Sequence, residues 1–417
     1  MTEGSDTAAR RQIRLINAAH LLTHYSLLIL PTAVLAMARP GGAFGADYGP
    51  IVALATGMFV LYGAGSLPQG WLAQRFGRPR LMLAFYFGTG LSLIAASFAT
   101  NPWALAAALS FAGFFAAIYH PIGTAMLVEA AGDKPGRALG LNGVFGNVGV
   151  ASAPLVTAFL SQKVGWQAGF AIPGIVCLAL GAAWLGQREI HPDHAAQAKN
   201  FPAIPPQIVR RATITMLSIS AASGLVFNAY TILLPKLMEE RLAGDVSLLP
   251  IIGALAFAVT LCGALTQFTV GRLIDHMTLK RIFMPMALVL APAMAALAFA
   301  RGWLALPLAG LVAAVIFGQV TINETMTARY ISPAMRAKIY SLRFFIGFLG
   351  GAAAAPVVGY LHERTGSLTI VVLCLSAMSL VTLVCAIAFP DRREELEPQL
   401  WAQAKAPGPV SAQVAAE

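Results

Sequence analysis

The amino-acid sequence predicts an all-α polytopic membrane protein with 12 transmembrane helices, arranged as two six-helix bundles related by pseudo-two-fold symmetry. Apolar residues make up 58% of the 417-residue chain and charged residues only 11%, whereas about a quarter of the residues in soluble globular proteins are charged. The mean hydropathy is positive, at 0.71. Twelve apolar segments are long enough to cross roughly 30 Å of hydrocarbon. Two sequence patterns recur about two hundred residues apart, which is typical of duplicated membrane folds.

The first recurring pattern is a short basic loop between apolar segments. It reads GWLAQRFGRPR at residues 70–80 and GRLIDHMTLKR at residues 271–281, an offset of 201 residues. The second pattern is APLVTAFLSQKVG from Ala153, which aligns with APVVGYLHERTG from Ala355 at an offset of 202. Two nearly equal offsets indicate that the chain contains two similar halves with the same order of helices.

Six apolar segments lie on each side of a polar linker that contains several prolines. The first six lie at 15–38, 49–70, 80–98, 103–128, 138–161 and 167–187, and the second six at 211–237, 248–271, 281–300, 303–329, 337–361 and 367–389. We therefore divide the chain into an N-terminal segment 1–14, a first bundle 15–187, a linker 188–210, a second bundle 211–390 and a disordered tail 391–417.

The basic residues predict how the chain is oriented. Cytoplasmic segments retain Lys and Arg, and with the N-terminus inside, 22 of the 28 Lys and Arg residues fall on the inner side. The six on the outer side are Arg39, Lys163, Lys236, Arg241, Arg301 and Arg364. We predict a multi-pass protein of the cell inner (cytoplasmic) membrane with both termini and the linker in the cytoplasm. The basic residues behind the net charge of +10 are scattered between apolar segments, so we attribute this charge to the orientation of the chain in the membrane. We expect no nucleic-acid partner.

Polar residues inside apolar helices are candidates for a functional site, because they are costly unless they face a cavity or a partner. The candidates of the first half lie in its first and fourth spans: Asn17, His20, His24, Tyr25, Tyr119 and His120. His24 and His120 are expected at similar depth, since each is nine or ten residues from the charged inner end of its span. The alternative is that a histidine only bonds the backbone of a neighbouring helix.

The candidates of the second half lie in its first, fourth and fifth spans. They are Asn228, Tyr230, Gln319, Asn323, Glu324 and Arg343. Glu324 is nine residues before Pro333 and Arg343 is ten residues after it, so a helix hairpin brings acid and base to the same depth. We expect them to form a buried pair, because either charge alone in hydrocarbon is expensive. The pair is either a protonatable switch or a static clamp between helices.

The basic loop resembles the motif G-x-L-[AS]-D-R-x-G-R-[RK] of the major facilitator superfamily. The matching residues are Gly70, Leu72, Ala73, Arg75, Gly77, Arg78 and Arg80. The family's aspartate, whose carboxylate latches the cytoplasmic face, is Gln74 here, while the second copy keeps Asp275 and has His276 in place of the following Arg. The residues expected to gate transport are Gly70, Arg75, Gly77, Arg78, Arg80, Gly271, Asp275 and Arg281.

Two weaker resemblances concern branches of that superfamily. The fifth span follows the antiporter motif G-x8-G-x3-G-P with Ala153 for its third glycine, and the other half repeats part of it; the residues are Gly140, Gly149, Pro154, Gly351 and Pro356. Close helix packing explains this spacing as well as antiport does. The segments AHLLTHY and YHPIG look like the fosmidomycin-resistance branch, whose first helix has an aspartate at the position of His24.

The resemblance implies a secondary transporter that works by alternating access, with the first and fourth helices of each half lining the cavity. Without a Walker-type sequence, ATP is not its energy source, and proton coupling is favoured because histidine titrates near physiological pH. Three imidazoles and Arg343 against the single acid Glu324 suggest an anionic or zwitterionic small organic solute. We expect a monomer with the lipid bilayer, solute and protons as partners, no cofactor and no enzymatic activity.

Two alternatives remain open at this stage. One is an importer of transition-metal ions that uses His20 and His24 at i and i+4; we expect no metal site, because neither has an adjacent cysteine or carboxylate. The other is a membrane sensor that keeps the fold without transporting a solute. Solute flux into liposomes indicates the carrier, and binding without flux indicates the sensor.

Overall fold

The computed structural model describes residues 3–131, 135–189, 206–242, 248–274, 276–331 and 333–389. Within these ranges, all the regular elements are helices, and twelve spans are long and apolar enough to cross a membrane. The predicted number of spans and the all-α class are therefore confirmed. Most of the predicted linker and the whole predicted tail lie outside the described residues, as do Lys199 and Asp275.

The first six spans contain several broken helices. The helices are α1 (Glu3–Leu27), α2 (Leu30–Met37), α3 (Tyr48–Ala53), α4 (Thr56–Gly65), α5 (Gln69–Phe76), α6 (Arg78–Ser97), α7 (Pro102–Ala116), α8 (Thr124–Ala130), α9 (Pro135–Lys163) and α10 (Trp166–Trp184). The pairs α1 and α2, α3 and α4, and α7 and α8 each make one span, and α5 lies in the basic loop. A π-helical turn, Tyr119–Gly123, joins α7 to α8.

The second six spans are nearly continuous helices. They are α11 (Pro206–Arg241), α12 (Leu249–Leu273), α13 (Leu279–Phe299), α14 (Ala305–Tyr330), α15 (Pro333–Thr365) and α16 (Thr369–Ala388). Internal prolines occur in three of these helices, including Pro356 in α15. The two halves thus share the order of spans but differ in how often those spans break.

Prolines account for two of the breaks in the first half. Pro31 lies in the first turn of α2, where its missing N–H leaves no intrahelical bond unmade. Pro121 lies inside the π-helical turn, where a proline removes an intrahelical hydrogen bond and its ring crowds the preceding turn. Both breaks occur within a few residues of the predicted polar site, so the backbone is irregular where the polar side chains are.

The outer surface of the bundle is apolar. Large side chains such as Phe98, Trp103 and Leu265 are exposed by 78%, 84% and 62%. A soluble protein rarely leaves so much contiguous apolar surface in water, whereas lipid solvates it without cost. The polar side chains of the described residues are, in contrast, largely hydrogen-bonded inside the helix bundle.

Two seams join the halves of the protein. Helices α3 and α4 pack on α15, and α9 packs on α12. These are the second span against the eleventh and the fifth against the eighth. A shift of six spans exchanges one seam for the other, as the predicted pseudo-two-fold relation requires.

Both seams are tight at the ends predicted to face outward. A Cβ placed on Gly49 would lie 2.5 Å from the carbonyl oxygen of Gly359, and one placed on Gly359 would lie 2.6 Å from that of Gly49. The backbone N–H of Gly49 also donates to Glu363, at 2.8 Å. On the other seam, a Cβ on Gly253 would lie 2.6 Å from the Pro154 carbonyl oxygen. The protein is therefore closed at this end.

The orientation of the helices is a testable prediction. We expect reporters fused in the C-terminal tail or at Lys199 to give cytoplasmic signals, because these positions follow an even number of spans from an inner N-terminus. A reporter inserted at Gly42, in the exposed connection between α2 and α3, should give a periplasmic signal. Activity of an alkaline phosphatase fusion and fluorescence of a cytoplasm-dependent protein measure the two cases. A periplasmic signal at Lys199 contradicts the map.

Candidate functional site

Three histidines from two spans form a cluster. The ring centroid of His20 lies 4.9 Å from that of His24 and 5.2 Å from that of His120, and the last two are 5.5 Å apart. One nitrogen from each ring lies within 4.8 Å of the other two. Similar depth was expected for His24 and His120, and the structure brings their rings together with that of His20 in a nearly equilateral triangle. We refer to these three residues as the histidine cluster.

Asn142 of α9 holds this cluster in place. Its carbonyl oxygen lies 2.7 Å from Nδ1 of His20, and because a carbonyl only accepts, that nitrogen carries the proton. Nε2 of His20 therefore accepts a hydrogen bond, and Nε2 of His24 donates to it at 3.1 Å. The Asn142 side chain donates to Asn17 at 2.9 Å and to the Tyr119 hydroxyl at 2.8 Å. Asn142 was missed in the sequence, although an amide in an apolar span is a signal for such a role.

Glycines of α9 make room for the first span. A Cβ on Gly146 would lie 2.6 Å from Cε1 of His20, and one on Gly149 would lie 2.2 Å from the Leu21 carbonyl oxygen. Gly149 therefore packs as expected. Among the described residues, no atom lies within 4 Å of the Cβ position of Gly140, so its expected packing role stays a prediction.

The π-helical turn places His120 at the interface between the two halves. Its ring stacks on that of Phe344 in α15, with centroids 5.2 Å apart, and lies 6.3 Å from Tyr62 in α4. Among the described residues, neither Nε2 of His120 nor the Tyr62 hydroxyl has a hydrogen-bond partner, and both atoms are buried. The histidine cluster therefore presents unused polar atoms where the halves meet.

Glu324 and Arg343 form the expected ion pair, with 2.9 Å between the carboxylate and the guanidinium. The guanidinium also donates to the Thr327 hydroxyl at 2.5 Å, the Asn323 carbonyl at 3.2 Å and the Ser220 hydroxyl at 3.3 Å. Only 9% of the Arg343 side chain is exposed, but 41% of the Glu324 side chain is. The expectation of a deeply buried acid is therefore wrong. The base is enclosed by helix groups, while the acid is partly exposed.

Three other predicted residues make hydrogen bonds to groups outside the histidine cluster, two of them between helices. The Tyr25 hydroxyl lies 3.3 Å from that of Thr157 in α9, and the Tyr230 hydroxyl donates to the Ala309 carbonyl at 2.7 Å. Asn228 donates to the Gly224 carbonyl in its own helix at 2.7 Å. Its amide fills the space beside Gly351, where a Cβ would lie 2.9 Å from it. Gly351 thus packs closely, as predicted.

Gln319 and Asn323 lie about one turn apart in α14, the helix that also carries Glu324 of the ion pair. Both are buried, with 2% and 7% of their surface exposed. Within the described residues, Nε2 of Gln319 and Oδ1 of Asn323 have no hydrogen-bond partner. Buried amides without partners are costly, so these two are candidates to bind a polar solute.

A sequence profile described as Major Facilitator Superfamily matches residues 19–260 and 245–414. The chain belongs to the major facilitator superfamily. Among its relatives is YfnC of Bacillus subtilis (strain 168), described as an uncharacterized MFS-type transporter, which is 23% identical over 318 residues, 71% of this chain and 74% of the relative.

Solved structures of low sequence identity share the fold. The crystal structure of a D-xylose-proton symporter superposes with a TM-score of 0.73 at 13% identity, covering 90% of this chain and 96% of that one. A bacterial homologue of the human lysosomal transporter Spinster, inward-facing and unoccupied, superposes with a TM-score of 0.68 at 15% identity, covering 98% and 100%. Family and fold support secondary transport by a multi-pass membrane protein, and members of this family are generally not enzymes.

The basic loop of this superfamily member contains a short helix. Gly70 lies inside this helix, α5, which ends at Phe76 and is followed by Gly77. Gly77 has a φ of 80°, a left-handed conformation that favours glycine. Among the described residues, no atom lies within 4 Å of a Cβ placed on Gly70 or Gly271, so close packing against them does not require a glycine at either position. Arg281 is exposed, at the start of α13.

Arg78 forms an ion-pair network in the first half. It contacts both oxygens of Glu129, at 2.6 and 2.7 Å, and one oxygen of Glu189, at 2.6 Å. Glu129 lies in α8 and Glu189 follows α10, so this one side chain joins three spans at the ends that we predict to face the cytoplasm. The sequence showed that the motif aspartate was absent but did not identify these two acids as partners. Arg75 instead lies over the Trp71 ring, 5.8 Å from its centroid.

The loop offers a matched pair of substitutions. We expect Arg78→Ala to slow transport several-fold with little change in solute affinity, because it leaves Glu129 and Glu189 close together without their shared cation. Arg80→Ala should have little effect, since that exposed side chain has only a 3.5 Å contact with the Phe76 carbonyl. Initial flux and equilibrium binding measured on the same preparations separate rate from affinity. A large loss of binding with normal turnover contradicts this role.

Proposed function

We propose that the protein is a proton-coupled secondary transporter of a small organic anion or zwitterion in the inner membrane. The two bundles, residues 15–187 and 211–390, rock about a site between them while the protein acts as a monomer. The observation that carries the proposal is that the histidine cluster of the first half contacts the helix of the second half that carries Arg343. His120 from the first half stacks on Phe344, whose neighbour in the chain is Arg343.

Arg343 supports an anionic substrate. Its guanidinium is held by neutral oxygens of α11 and α14, which keep it in place without neutralising its charge. Arginine binds carboxylates through a planar fork of N–H groups. A solute carboxylate can therefore replace the carboxylate of Glu324 while the remaining contacts of the guanidinium stay in place.

Proton coupling follows from that exchange. When Glu324 takes up a proton on its carboxylate oxygen, it loses its negative charge and its attraction for Arg343 weakens. Arg343 is then available to the solute anion, so proton and anion bind together. The open side of Glu324 supports this order of events, because a proton reaches an exposed carboxylate without passing through apolar packing.

Alternating access needs one closed end in each state. The contacts of Gly49 with Gly359 and of Gly253 with Pro154 close the end that we predict to be outward. The polar site then opens toward the cytoplasm. The two halves would part along the same seams in the opposite state, as in the rocking mechanism of this class of transporter.

Flux in proteoliposomes tests the proposal. A thermal-shift screen of carboxylates and amino acids first identifies a solute that stabilises the purified protein. Internal pH is then recorded in liposomes as that solute is added outside. We expect the solute to drive proton movement through the protein. Specific binding of the solute with no flux supports the sensor instead. Solute flux without proton movement contradicts the proposed proton coupling.

A further inference from the structure

We infer that the histidine cluster, His20, His24 and His120, binds a divalent first-row transition-metal ion, and that an anionic solute supplies the fourth ligand. The first part of this inference concerns the protein alone. The second part rests on the proposed function, because it names the transported species as a metal ion bound to a carboxylate.

The positions of the nitrogens fit a three-histidine site. Zinc binds imidazole nitrogens at about 2.0–2.1 Å in a tetrahedral arrangement, which places the nitrogens about 3.4 Å apart. Nε2 of His20 and Nε2 of His24 are 3.1 Å apart, and all three donor atoms lie within 4.8 Å of one another. Small rotations of the rings bring them to a common ion. Three protein ligands leave one position open, as in zinc sites that bind a substrate.

The surroundings of His20 favour metal binding. Histidines that bind metals usually donate their other N–H to a backbone carbonyl or a carboxylate, which fixes the tautomer and the ring. Nδ1 of His20 makes that bond with the Asn142 carbonyl. The Tyr119 ring stacks on His20 with centroids 4.9 Å apart and planes 20° apart, so the direction of Nε2 is set from two sides.

His120 supplies the second observation that points to a ligand. Its Nε2 is buried and has no hydrogen-bond partner among the described residues, although a buried polar atom normally has one. The expectation of no metal site rested on two histidines of one helix. It did not include this third nitrogen, which comes from another span.

The charge of the ion indicates what completes the site. Three neutral imidazoles leave both positive charges of the ion uncompensated inside the helix bundle, which is expensive. The candidate ligand group of the described residues contains three histidines and no carboxylate. An anionic oxygen ligand from the solute would lower the net charge and fill the open position. The preferred cargo is therefore a complex of a metal ion with a small carboxylate, not the bare ion.

Metal binding to the full chain without an affinity tag is the first test. We expect about one Zn²⁺ per chain by equilibrium dialysis, with X-ray absorption showing imidazole nitrogens at about 2.0 Å. Co²⁺ in place of Zn²⁺ should give the spectrum of a four-coordinate ion. His20→Ala, His24→Ala and His120→Ala should each weaken Zn²⁺ binding at least about 100-fold, because changes outside the ligand shell alone cost roughly 10–100-fold.

Controls separate the site from its alternatives. His276→Ala removes an exposed histidine outside the cluster and should bind Zn²⁺ like the wild type. His24→Gln guards against a folding defect, because it fills the space without a metal-binding nitrogen, and its elution and melting temperature should match the wild type. Zn²⁺ binding that persists in all three alanine variants, or is absent from the folded wild type, overturns the inference.

Transport measurements distinguish this inference from the proposed function. Uptake of radioactive zinc into proteoliposomes should rise when the transported carboxylate is present and fall to background in His120→Ala. If a chelator leaves solute flux unchanged, the carrier stands and the metal cargo is refuted. If Zn²⁺ binds at the histidine cluster but no solute moves, the metal site stands and the proposed transport function fails.

Discussion

Arg343→Ala is expected to abolish proton-driven accumulation of the solute. The change removes a partner of Glu324 and one hydrogen-bond donor each from the hydroxyls of Thr327 and Ser220 and from the carbonyl of Asn323. The Thr327 hydroxyl still donates to the Asn323 carbonyl at 3.1 Å and Ser220 keeps a bond within α11, so the loss of these contacts is partly compensated. The stability loss stays below the roughly 3–5 kcal/mol of a fully buried broken pair, because Glu324 is partly exposed and water solvates it. Solute-dependent pH change inside proteoliposomes measures the effect.

Glu324→Gln separates coupling from binding. Glutamine keeps the shape of the side chain and removes the group that exchanges the proton, so downhill solute exchange should continue while accumulation against a gradient is lost. Arg343→Lys keeps the charge but loses the planar fork, so it should retain only part of the binding. Wild-type proton movement in both Glu324→Gln and Arg343→Ala would return the pair to a static clamp between helices.

Gly359→Val is expected to reduce transport at least about tenfold by preventing closure of the outer end. The valine side chain would occupy the position of the Gly49 backbone, since the Cβ alone would come 2.6 Å from its carbonyl oxygen. A helix backbone cannot yield as a flexible side chain does, so the seam must open. A tenfold change corresponds to about 1.4 kcal/mol of bias between the two states.

Spin labels at Ala46 and Thr365 report on this seam directly. Both positions are exposed beside it, and the four native cysteines are first replaced. Pulsed electron resonance should show a longer distance in Gly359→Val than in the parent. Gly143→Ala is the matched control, because no atom of the described part of the chain lies within 4 Å of the Cβ position of this helical glycine. An unchanged distance with normal transport in Gly359→Val contradicts the role of this contact as a gate.

The fold followed from the sequence because hydropathy, repeat offsets and charge distribution each report on whole spans. The Glu324 and Arg343 pair was also predictable, since their distances from Pro333 along the chain set the same depth for both. The depth of a residue in the membrane follows from the rise of about 1.5 Å per residue along its own helix. It can therefore be predicted without knowing which helices are neighbours.

What the sequence could not provide is the rotation of each helix about its axis. The convergence of His20, His24 and His120 depends on how α1 and the π-helical turn face each other. The roles of Asn142 and of Arg78 depend in the same way on which side of a helix meets a neighbour. The exposure of Glu324 was also beyond the sequence, because it depends on how the neighbouring helices pack and not on the apolar character of its own span.

The π-helical turn at Tyr119–Gly123 sets which directions the side chains of α8 face relative to those of α7. A π-turn absorbs one extra residue, so α8 follows α7 with a rotation of about 100° relative to an uninterrupted α-helix of the same length. His120 can then face the histidine cluster while Glu129, in the same span, faces Arg78. If this turn rewinds to α-helical geometry during the transport cycle, one of the two alignments must be lost. A change in this turn would therefore couple the arrangement of the histidine cluster to the ion pair between Arg78 and Glu129.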